Sequence, residues 1–410
     1  MKEDRRTICV MGLGYIGLPT ASLLGTKGYK VHGVDVSQDI VDTINDGNIH
    51  IVEPDLDIMV KSAVGSGNLR ASTTPSEADI FIIAVPTPLK EVTGEEEPKT
   101  PTPDVSFVED ATQSISPFVK KGNLVILEST SPLGTTEDVV ARILREDGHD
   151  LEKDVFVAHC PERVLPGRIL VELVENDRIV GGITPESTRE AAEFYQEFVS
   201  GEVLSTTAKT AELVKLSENS FRDVNIAFAN EISMICDTEG IHAWEAIELA
   251  NRHPRVDILQ PGPGVGGHCI AVDPWFIVSK TPKNARLIRA ARKVNESKPK
   301  WVINKVRKSA AKFKKPRIAC LGLTFKADVD DLRESPALQI AEQIRKEELG
   351  ELYICEPNIS SIENFKLVST HEAVSLADII LLLVDHKQFR SINRTELTEK
   401  VVIDTKGIFR

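Results

Sequence analysis

Short apolar runs alternate with stretches of helical periodicity along the first half of the chain. The runs are three to seven residues long, the length of strands buried on both faces, and they lie at residues 7–11, 30–34, 79–85, 124–127, 155–159 and 178–180. Strands that alternate with helices in this way form an open parallel sheet with helices on both faces. The pattern therefore predicts a doubly wound α/β domain at this end of the chain.

A longer helical stretch, residues 208–236, contains no Pro or Gly and is apolar on most sides. We expect it to lie buried between layers of the protein or between subunits. Lys215, Asn219 and Arg222 fall at positions i, i+4 and i+7 and therefore share one face. Because unpartnered charge is costly to bury, they indicate a polar cavity, although a solvated stripe on a surface helix has the same spacing. A second long helix, rich in Lys and Arg and more exposed, is predicted over residues 284–313.

The strand pattern restarts after residue 314. Residues 316–325 echo residues 7–15, and residues 377–384 echo residues 78–85. The last hundred residues are therefore predicted to form a second doubly wound domain, a diverged copy of the first. These patterns divide the chain into domains at residues 1–200, 201–313 and 314–410.

A glycine-rich turn follows the first predicted strand. Gly12, Gly14 and Gly17 form a G-x-G-x-x-G motif between a strand and a helix, and Asp35 ends the second strand. This is the dinucleotide fingerprint: a strand, a glycine-rich turn, a helix, and a second strand that ends in an acidic residue. In this motif the helix N-terminus binds the pyrophosphate. The Asp35 carboxylate would accept both ribose hydroxyls and repel a 2′-phosphate, so the motif favours NAD over NADP; the alternative is a plain tight turn. In the echo the motif is lost, because Thr324, Lys326 and Ala327 stand where Gly14, Ile16 and Gly17 stand in the first copy.

Three polar segments follow other strands of the predicted sheet. They are residues 86–88, 128–130 and 160–163. Ligands of open α/β sheets bind beyond the carboxyl ends of the strands, so all three segments are predicted to face one crevice. Residues 89–105 are polar and rich in Pro and Glu, which predicts a surface loop.

Cys269 lies at the end of a loop that contains four glycines and two prolines in the preceding eight residues. Such a loop exposes backbone and lets a ligand come close. An alcohol-to-ketone oxidation needs no thiol, but oxidation of an aldehyde to an acid can proceed through a thiohemiacetal and a thioester. The loop therefore favours a nucleophilic thiol, while the alternative is a small buried residue in a turn.

Composition limits the classes of function. The net charge of −13 argues against nucleic-acid binding and weakly against binding to anionic membranes. No apolar run approaches the ~20 residues of a membrane span, and the first residues lack the apolar core of a signal peptide. The six cysteines are scattered without a CxxC pair, which fits a reducing cytoplasm and argues against a structural zinc or a disulfide framework.

Several segments together resemble the nucleotide-sugar 6-dehydrogenases of the UDP-glucose/GDP-mannose dehydrogenase superfamily. They span nearly the whole chain and are residues 12–17, 85–88, 128–130, 161–163, 212–219, 261–273 and 333–336. The resemblance implies two Rossmann-like α/β domains joined by a long-helix central dimerisation segment, with NAD in the first domain and the UDP-sugar in the last. It also implies a homodimer or a larger homo-oligomer.

The resemblance also implies roles for individual residues. Cys269 is the nucleophile of the second oxidation, Lys215 and Asn219 act at the C6 oxygen, and Glu128 and Asp273 are candidates to activate the hydrolytic water. The cofactor set is Gly12, Gly14, Tyr15, Ile16, Gly17, Asp35, Thr87 and Thr130. The substrate set is Glu162, Arg163, Val164, Lys215, Asn219, Arg222, His253, Arg255, Gly266, Phe325, Lys326 and Arg333.

His253 and Arg255 match residues that reach substrate across the dimer interface in the family; taken alone, His253 is an ordinary loop histidine. Residues 251–256 and 264–270 match the branch of the family that oxidises UDP-N-acetyl-D-mannosamine to the uronate with two NAD. UDP-N-acetyl-D-glucosamine and UDP-glucose are the alternative substrates. A two-electron hydroxyacid dehydrogenase and a non-catalytic NAD-binding protein are the other classes, and Cys269 counts against both.

Overall fold

The computed structural model describes residues 6–90 and 100–409. The chain forms two compact units, one that ends at Ser217 and one that begins at Glu218. Among the described residues, no helix combines the length and the apolar composition needed to cross a membrane.

The first unit contains an eight-stranded sheet. Its strands are β1 (Thr7–Met11), β2 (Lys30–Val34), β3 (Leu69–Ser72), β4 (Ile80–Ile83), β5 (Leu124–Leu127), β6 (Phe156–His159), β7 (Arg178–Gly182) and β8 (Val203–Thr207). Their order is β3-β2-β1-β4-β5-β6-β7-β8, so the chain starts at the centre of the sheet and winds outward in both directions. This order confirms the doubly wound prediction.

One edge of this sheet differs from the prediction. Strand β7 pairs antiparallel with β6, through Ala158 with Gly182 and His159 with Gly181, and β8 then runs parallel to β7. The prediction of a wholly parallel sheet was therefore wrong at this edge. An antiparallel neighbour needs no crossover over the sheet, and α6 (Ile169–Glu175) lies in the connection between β6 and β7.

Apolar side chains on both faces of the sheet pack against the helices of the first unit. These helices are α1 (Gly17–Thr26), α2 (Gln38–Asn45), α3 (Leu56–Gly65), α4 (Ser106–Ile115), α5 (Arg142–Glu146), α6, and α7 (Pro185–Gln196). One buried cluster includes Ile8 and Val10, and the other includes Cys9 and Met11, because successive strand residues point to opposite faces. The sheet is thus covered on both sides, as its continuous apolar strands require.

The loop predicted over residues 89–105 lies only partly within the described chain. Leu89 and Pro103 form an isolated antiparallel bridge, and Asp104 donates its backbone N–H to the Pro88 carbonyl at 2.7 Å. These contacts bring the two ends of the loop together. Residues 91–99 lie outside the described residues.

Helix α8 (Ala208–Glu239) begins in the first unit and ends in the second. It confirms the predicted helix and is three residues longer at its C-terminal end. In the single chain the helix is not buried on every side, and its burial between layers of the protein or between subunits stays a prediction. Phe221, Phe228 and Ile235, which follow one another at intervals of seven, are exposed and form an apolar stripe along one side of the helix.

Three further helices of the second unit follow, α9 (Ala243–Ala250), α10 (Asp273–Lys280) and α11 (Arg286–Ala310). The basic helix α11 was predicted to be exposed, but two of its cationic side chains are buried. Arg292 donates to Asp223 at 2.7 Å, and the Lys298 ammonium lies 4.3 Å from the centre of the Trp301 ring. The prediction was wrong there because polar and aromatic partners replace water around these two cations.

The second sheet has four parallel strands, β9 (Arg317–Leu321), β10 (Glu351–Cys355), β11 (Ile379–Leu382) and β12 (Val401–Asp404), in the order β10-β9-β11-β12. Helices α12 (Pro336–Lys346) and α13 (Thr370–Leu376) complete the unit. Strands β9, β10 and β11 have the same relative order as β1, β2 and β4 of the first sheet. The prediction of a second α/β sheet is confirmed.

Candidate active site

The first candidate region is the glycine turn between β1 and α1. Gly12 has φ +89°, and a Cβ there would lie 2.8 Å from the Ala84 carbonyl oxygen. A Cβ on Gly17 would lie 1.8 Å from the Gly12 carbonyl oxygen, so both positions require glycine to close the turn. A Cβ on Gly14 would meet nothing within 4 Å, which leaves open space beside the helix N-terminus. A pyrophosphate fits this turn, because the crowded glycines shape it and the uncrowded one faces open space.

The Asp35 carboxylate lies next to this turn. One carboxylate oxygen accepts from the Leu13 N–H at 3.0 Å, and the other accepts from the Ser37 N–H at 3.0 Å. Asp35 is only half-buried, so its remaining lone pairs can reach a ligand. This is the placement that hydroxyls of an NAD ribose require.

The ends of β4 and β5 meet at the same rim. The Thr87 hydroxyl donates to the Thr130 carbonyl at 2.5 Å, and the Ser129 hydroxyl donates to the Val85 carbonyl at 2.7 Å. The structure therefore brings together the two threonines of the predicted cofactor set. Their hydroxyls and backbone line the rim beyond the strand ends.

Glu128 has a different environment from its neighbours at this rim. Its side chain is 1% exposed, and its two oxygens accept from the Tyr195 hydroxyl at 2.7 Å and the Thr20 hydroxyl at 3.5 Å. Burial and the nearby Glu162 carboxylate raise the pKa of Glu128 to about 7. Glu128 is therefore a buried proton-holding group between α1 and α7, and Tyr195 is a partner that no sequence motif indicated.

Glu162 is also committed to internal contacts. One oxygen accepts from Arg178 at 2.6 Å and the other accepts from the Arg163 backbone N–H at 2.7 Å, and both charged side chains of the pair are buried. Val164 packs against the apolar core of the same unit. Of these predicted substrate residues, Arg163 keeps its guanidinium near the surface, where it donates to the Asp177 carbonyl at 3.2 Å.

Lys215 lies on α8, about one turn after Glu212, which forms several hydrogen bonds. The buried Glu212 carboxylate accepts from the Gly134 N–H at 2.6 Å and from the N–H and the hydroxyl of Thr136 at 2.8 and 2.7 Å. These bonds fix the start of α8 against the turn that follows β5. His159 is buried nearby, and burial together with the Lys215 charge lowers its pKa to about 3, so its imidazole is neutral.

In the second unit, Cys269 precedes a tight turn into α10. Its carbonyl accepts from the Val272 and Asp273 N–H groups at 3.0 and 2.8 Å. Asp273, the first residue of α10, accepts from the Asn219 amide at 2.6 Å. Cys269 is exposed, whereas the other five cysteines are buried thiols. The structure thus holds together the thiol and two residues of the predicted catalytic set.

The glycine-rich loop before Cys269 packs on the segment after β9. A Cβ on Gly266 would lie 2.4 Å from the Glu334 carbonyl oxygen, and one on Gly267 would lie 2.9 Å from the Phe325 ring. The Gly267 N–H also donates to the Arg333 carbonyl at 3.3 Å. These glycines are therefore needed for close approach, and the structure brings Gly266, Phe325 and Arg333 of the predicted substrate set together.

The remaining predicted substrate residues are exposed. They are Arg222, His253, Arg255 and Lys326. His253 accepts from the Arg255 backbone N–H at 3.4 Å, in the turn that follows α9. This contact is local and brings neither side chain to Cys269.

An open cavity of about 480 Å³ lies on the second unit and was not predicted. It is lined by Gln260, Asp385, Arg390, Arg394, Lys406, Gly407 and Ile408. Three cations and one acid give it a net positive charge, which suits a phosphorylated ligand. The Lys406 ammonium lies beside Gly262 of the Cys269 loop, 3.7 Å from where a Cβ would stand.

Three family models match consecutive segments of the chain. They are the NAD binding domain, the central domain and the UDP binding domain of the UDP-glucose/GDP-mannose dehydrogenase family, over residues 6–199, 209–297 and 319–410. The chain belongs to this family. It is an NAD-dependent oxidoreductase, and the fingerprint turn and Asp35 lie within the NAD binding domain.

Relatives within the UDP-glucose/GDP-mannose dehydrogenase family match almost end to end. The UDP-N-acetyl-D-mannosamine dehydrogenase of Escherichia coli (strain K12) is 54% identical, over 98% of this chain and 99% of the relative. An NDP-N-acetyl-D-galactosaminuronic acid dehydrogenase of Ralstonia nicotianae is also 54% identical, over 99% and 97%. Because identity is equal, it does not by itself choose between these two sugars.

Solved structures of the same family share the fold. The UDP-N-acetyl-mannosamine dehydrogenase of S. aureus superposes with a TM-score of 0.88 at 43% identity and covers 98% of this chain and 95% of that chain. A UDP-D-ManNAc dehydrogenase of Pyrococcus horikoshii gives a TM-score of 0.88 at 39% identity, with 98% and 96% covered. Among the residues that the structure of the present chain describes, no group of three or more His, Cys, Asp or Glu side chains is arranged to hold a metal ion.

Proposed function

We propose that the protein oxidises UDP-N-acetyl-D-mannosamine at C6 to UDP-N-acetyl-D-mannosaminuronate with two NAD and one water. The observation that carries this proposal is the placement of Cys269. Its thiol is exposed on a turn that the Asn219–Asp273 pair holds, after a loop packed on the Phe325 segment. A reactive thiol is the group that a four-electron oxidation needs and a two-electron oxidation does not.

NAD, when held by the glycine turn and Asp35, would supply the acceptor for one hydride in each of the two oxidations. In the first, the neutral amine form of Lys215 accepts the proton of the C6 hydroxyl as the C6 hydride leaves, and an aldehyde results. The Cys269 thiolate then adds to the aldehyde carbon, and the oxyanion receives hydrogen bonds from Lys215 and Asn219. Loss of the second hydride leaves a thioester. Water, activated by Glu128 or Asp273, cleaves the thioester to the carboxylate and restores the thiol.

The buried state of Glu128 limits its part in the last step. A side chain that is 1% exposed reaches a water only if that water enters the strand-end rim. Asp273 lies on the turn that follows Cys269, in the same unit as the thiol, so it is better placed than Glu128 to contact the hydrolytic water. We therefore assign proton storage to Glu128 and orientation of the water to Asp273.

Substrate binding is assigned by the same reasoning. Arg163, Val164 and Arg222 are proposed to line the path of the sugar and diphosphate, and Phe325, Lys326 and Arg333 are proposed to form the nucleotide site. The UDP binding domain of the family covers the last three. The three-domain division at residues 200 and 313 belongs to this proposal.

The sugar is the part of the proposal with a specific rival. Relatives named for N-acetyl-D-mannosamine and for N-acetyl-D-galactosaminuronic acid are equally identical to this chain. An N-acetylgalactosamine nucleotide is therefore the second candidate. UDP-N-acetyl-D-glucosamine and UDP-glucose remain alternatives on the resemblance of the motifs.

One assay distinguishes the candidate substrates and the two-electron from the four-electron oxidation. NADH is measured during complete turnover of UDP-N-acetylmannosamine, UDP-N-acetylgalactosamine, UDP-N-acetylglucosamine and UDP-glucose, with the Cys269→Ala variant as the control. We expect the highest kcat/KM with the mannosamine substrate and two NADH per substrate. One NADH per substrate would identify a two-electron dehydrogenase, and no NADH with any of the four would reject the proposed function.

We further propose that the protein is a cytoplasmic homodimer or larger homo-oligomer that binds neither nucleic acid nor membrane. The exposed stripe of Phe221, Phe228 and Ile235 supports the dimer, because a second copy of the same stripe would cover it. Light scattering on the wild type and on Phe228→Asp tests this: the wild type is expected at twice the chain mass or more and the variant at a lower mass. A monomeric wild type would reject the dimer.

A further inference from the structure

The second unit retains the framework of a dinucleotide site. Gly322 follows β9 with φ +84°, as Gly12 follows β1 with φ +89°. The Gly322 N–H donates to the Cys355 carbonyl at 2.9 Å, and the Gly12 N–H donates to the Val34 carbonyl at 2.8 Å. The first glycine of each turn is thus tied in the same way to the end of the neighbouring strand.

The acid of the fingerprint is retained as well. Glu356 follows β10 directly, as Asp35 follows β2. One oxygen of Glu356 accepts from the Leu323 N–H at 2.7 Å, the counterpart of the 3.0 Å bond from Leu13 to Asp35. The other oxygen accepts from the Asn358 N–H at 3.0 Å. In each unit the carboxylate therefore bonds the residue after the first glycine and the residue two positions after itself.

The carboxylates of Asp35 and Glu356 differ in their exposure and in their remaining contacts. Asp35 is half-buried and open to a ribose, whereas Glu356 is 4% exposed. The His386 imidazole is fully buried, and its Nε2 lies 3.0 Å from a carboxylate oxygen of Glu356. His386 stands two residues after Val384, at the position that Thr87 occupies two residues after Val85. A side chain of the chain itself thus occupies the place at the acid where a ribose hydroxyl would bind.

His386 also holds the segment that carries Lys326. Its Nδ1 accepts from the Asp328 backbone N–H at 2.9 Å and from the Asn358 amide at 2.9 Å, so the proton lies on Nε2 and is donated to Glu356. Its Nε2 lies 3.3 Å from the Thr324 hydroxyl, which donates to the Lys326 carbonyl at 2.8 Å. The imidazole therefore contacts the chain on both sides of Lys326.

We propose that His386 determines the ligand specificity of the second unit. Its imidazole fills the ribose position at Glu356, which closes the unit to a dinucleotide, and it positions the 324–328 segment so that Lys326 can meet the diphosphate of a nucleoside diphosphate sugar. The second half of this statement rests on the proposed function, because Lys326 is assigned to the nucleotide site there. The first half stands on the contacts of Glu356 alone. His386 is a positioning residue and has no assigned contact with the substrate.

The test replaces His386 with Thr, the residue at the matching position of the first unit, in the full-length protein. His371→Thr is the matched control, because His371 is an exposed histidine of α13 in the same unit. Equilibrium binding of UDP and of NAD is measured by calorimetry, and amide hydrogen exchange is followed in peptides that cover residues 323–333. His386→Asn is the conservative variant, because its amide oxygen can still accept from the Asp328 N–H.

We expect His386→Thr to raise the Kd for UDP by about tenfold, to leave the Kd for the NAD site of the first unit near its original value, and to speed exchange at residues 325–328. His386→Asn is expected to recover part of the protection, and His371→Thr to change neither quantity. Unchanged exchange in a folded His386→Thr protein would overturn the proposal, and so would an equal loss of UDP and NAD binding. Because exchange is measured without ligand, it tests His386 even if no sugar nucleotide is turned over, a result that would reject only the proposed function.

Discussion

The Asn219 side-chain amide donates a hydrogen bond of 2.6 Å to the Asp273 carboxylate, and both side chains are buried. This bond joins α8 to the first turn of α10, four residues after Cys269. Because Asp273 lies on the turn that follows Cys269, the bond ties the segment that carries the thiol to the helix. Asn219 and Asp273 therefore act as one unit in positioning the thiol.

Removal of either partner is expected to lower kcat without changing the KM for NAD. We expect Asn219→Ala and Asp273→Ala each to reduce kcat by about 10²- to 10³-fold, because an oriented donor and the position of the thiol are lost together. The double variant is expected to be no slower than the worse single variant. Asn304→Ala, an exposed asparagine on α11, is the control. Independent, multiplying losses in steady-state kinetics would show that the two residues do not act as one unit.

Cys269 is expected to be essential only after the aldehyde stage. Cys269→Ala cannot form a covalent intermediate, and Cys269→Ser is expected to stall because a hydroxyl is a poorer nucleophile without a strong base. Wild-type enzyme quenched during turnover is expected to carry the mass of the sugar nucleotide on the peptide that contains Cys269. If Cys269→Ala made the uronate at the wild-type rate with two NADH per substrate, the thiol mechanism would be wrong.

The Asp35 carboxylate is expected to set the preference for NAD. We expect kcat/KM to favour NAD over NADP by about one to two orders of magnitude, because a 2′-phosphate would be repelled and would lose the ribose hydrogen bonds. Asp35→Ala is expected to lose most of this preference, while Asp39→Ala, an exposed acid on α2, keeps it. Equal kcat/KM values for the two cofactors in the wild type would refute the assignment.

The buried Glu128 is expected to make stability depend on pH. Its pKa is about 7 in the folded protein against an ordinary value of 4.5, so the folded state binds more protons between these values and stability falls as pH rises through them. Glu128→Gln removes this slope. The free energy of unfolding of the variant relative to the wild type is expected to rise by up to about 3 kcal/mol between pH 4.5 and pH 8.

Urea unfolding across this pH range checks the prediction. Glu193→Gln, an exposed glutamate on α7, is the control and is expected to leave the slope unchanged. Parallel stability curves for the wild type and Glu128→Gln would mean that Glu128 is ionised throughout and that its neighbours compensate its charge.

Arg255 is expected to serve the site of a neighbouring subunit. If so, mixing inactive Cys269→Ala chains with inactive Arg255→Ala chains creates hybrid dimers in which one of the two sites has both residues. With random exchange of subunits, roughly a quarter of the wild-type activity per chain is expected. Mass spectrometry of the intact dimers verifies exchange. Demonstrated exchange without activity would place Arg255 in the site of its own chain.

The sequence predicted the parts of the fold and the site that depend on local pattern. The apolar runs located β1, β2 and most later strands, and the spacing of Gly12, Gly14, Gly17 and Asp35 identified the cofactor turn, because a phosphate-binding turn constrains neighbouring residues. The direction of β7 was not predictable in this way. A strand has the same alternation in either direction, and its pairing depends on where the chain can turn.

Partners distant in the sequence were also beyond prediction. Tyr195 meets Glu128 across 67 positions, and His386 meets Glu356 across 30, with no motif that links either pair. The resemblance placed Glu162 in the substrate set, whereas in the structure its buried carboxylate pairs with Arg178. A motif identifies which residues are near a site; only the packing decides which of their atoms remain available to a ligand.

The first two glycines of the cofactor turn differ in what a side chain would disturb. At Gly12 a methyl group would collide with backbone of the chain itself, whereas at Gly14 it would enter open space. The first position is thus required for the protein to fold and the second only for it to bind. A copy of this domain released from binding NAD could therefore lose the second glycine but not the first. The second unit agrees at both positions, because Gly322 keeps the left-handed backbone and Thr324 stands where the first unit has Gly14.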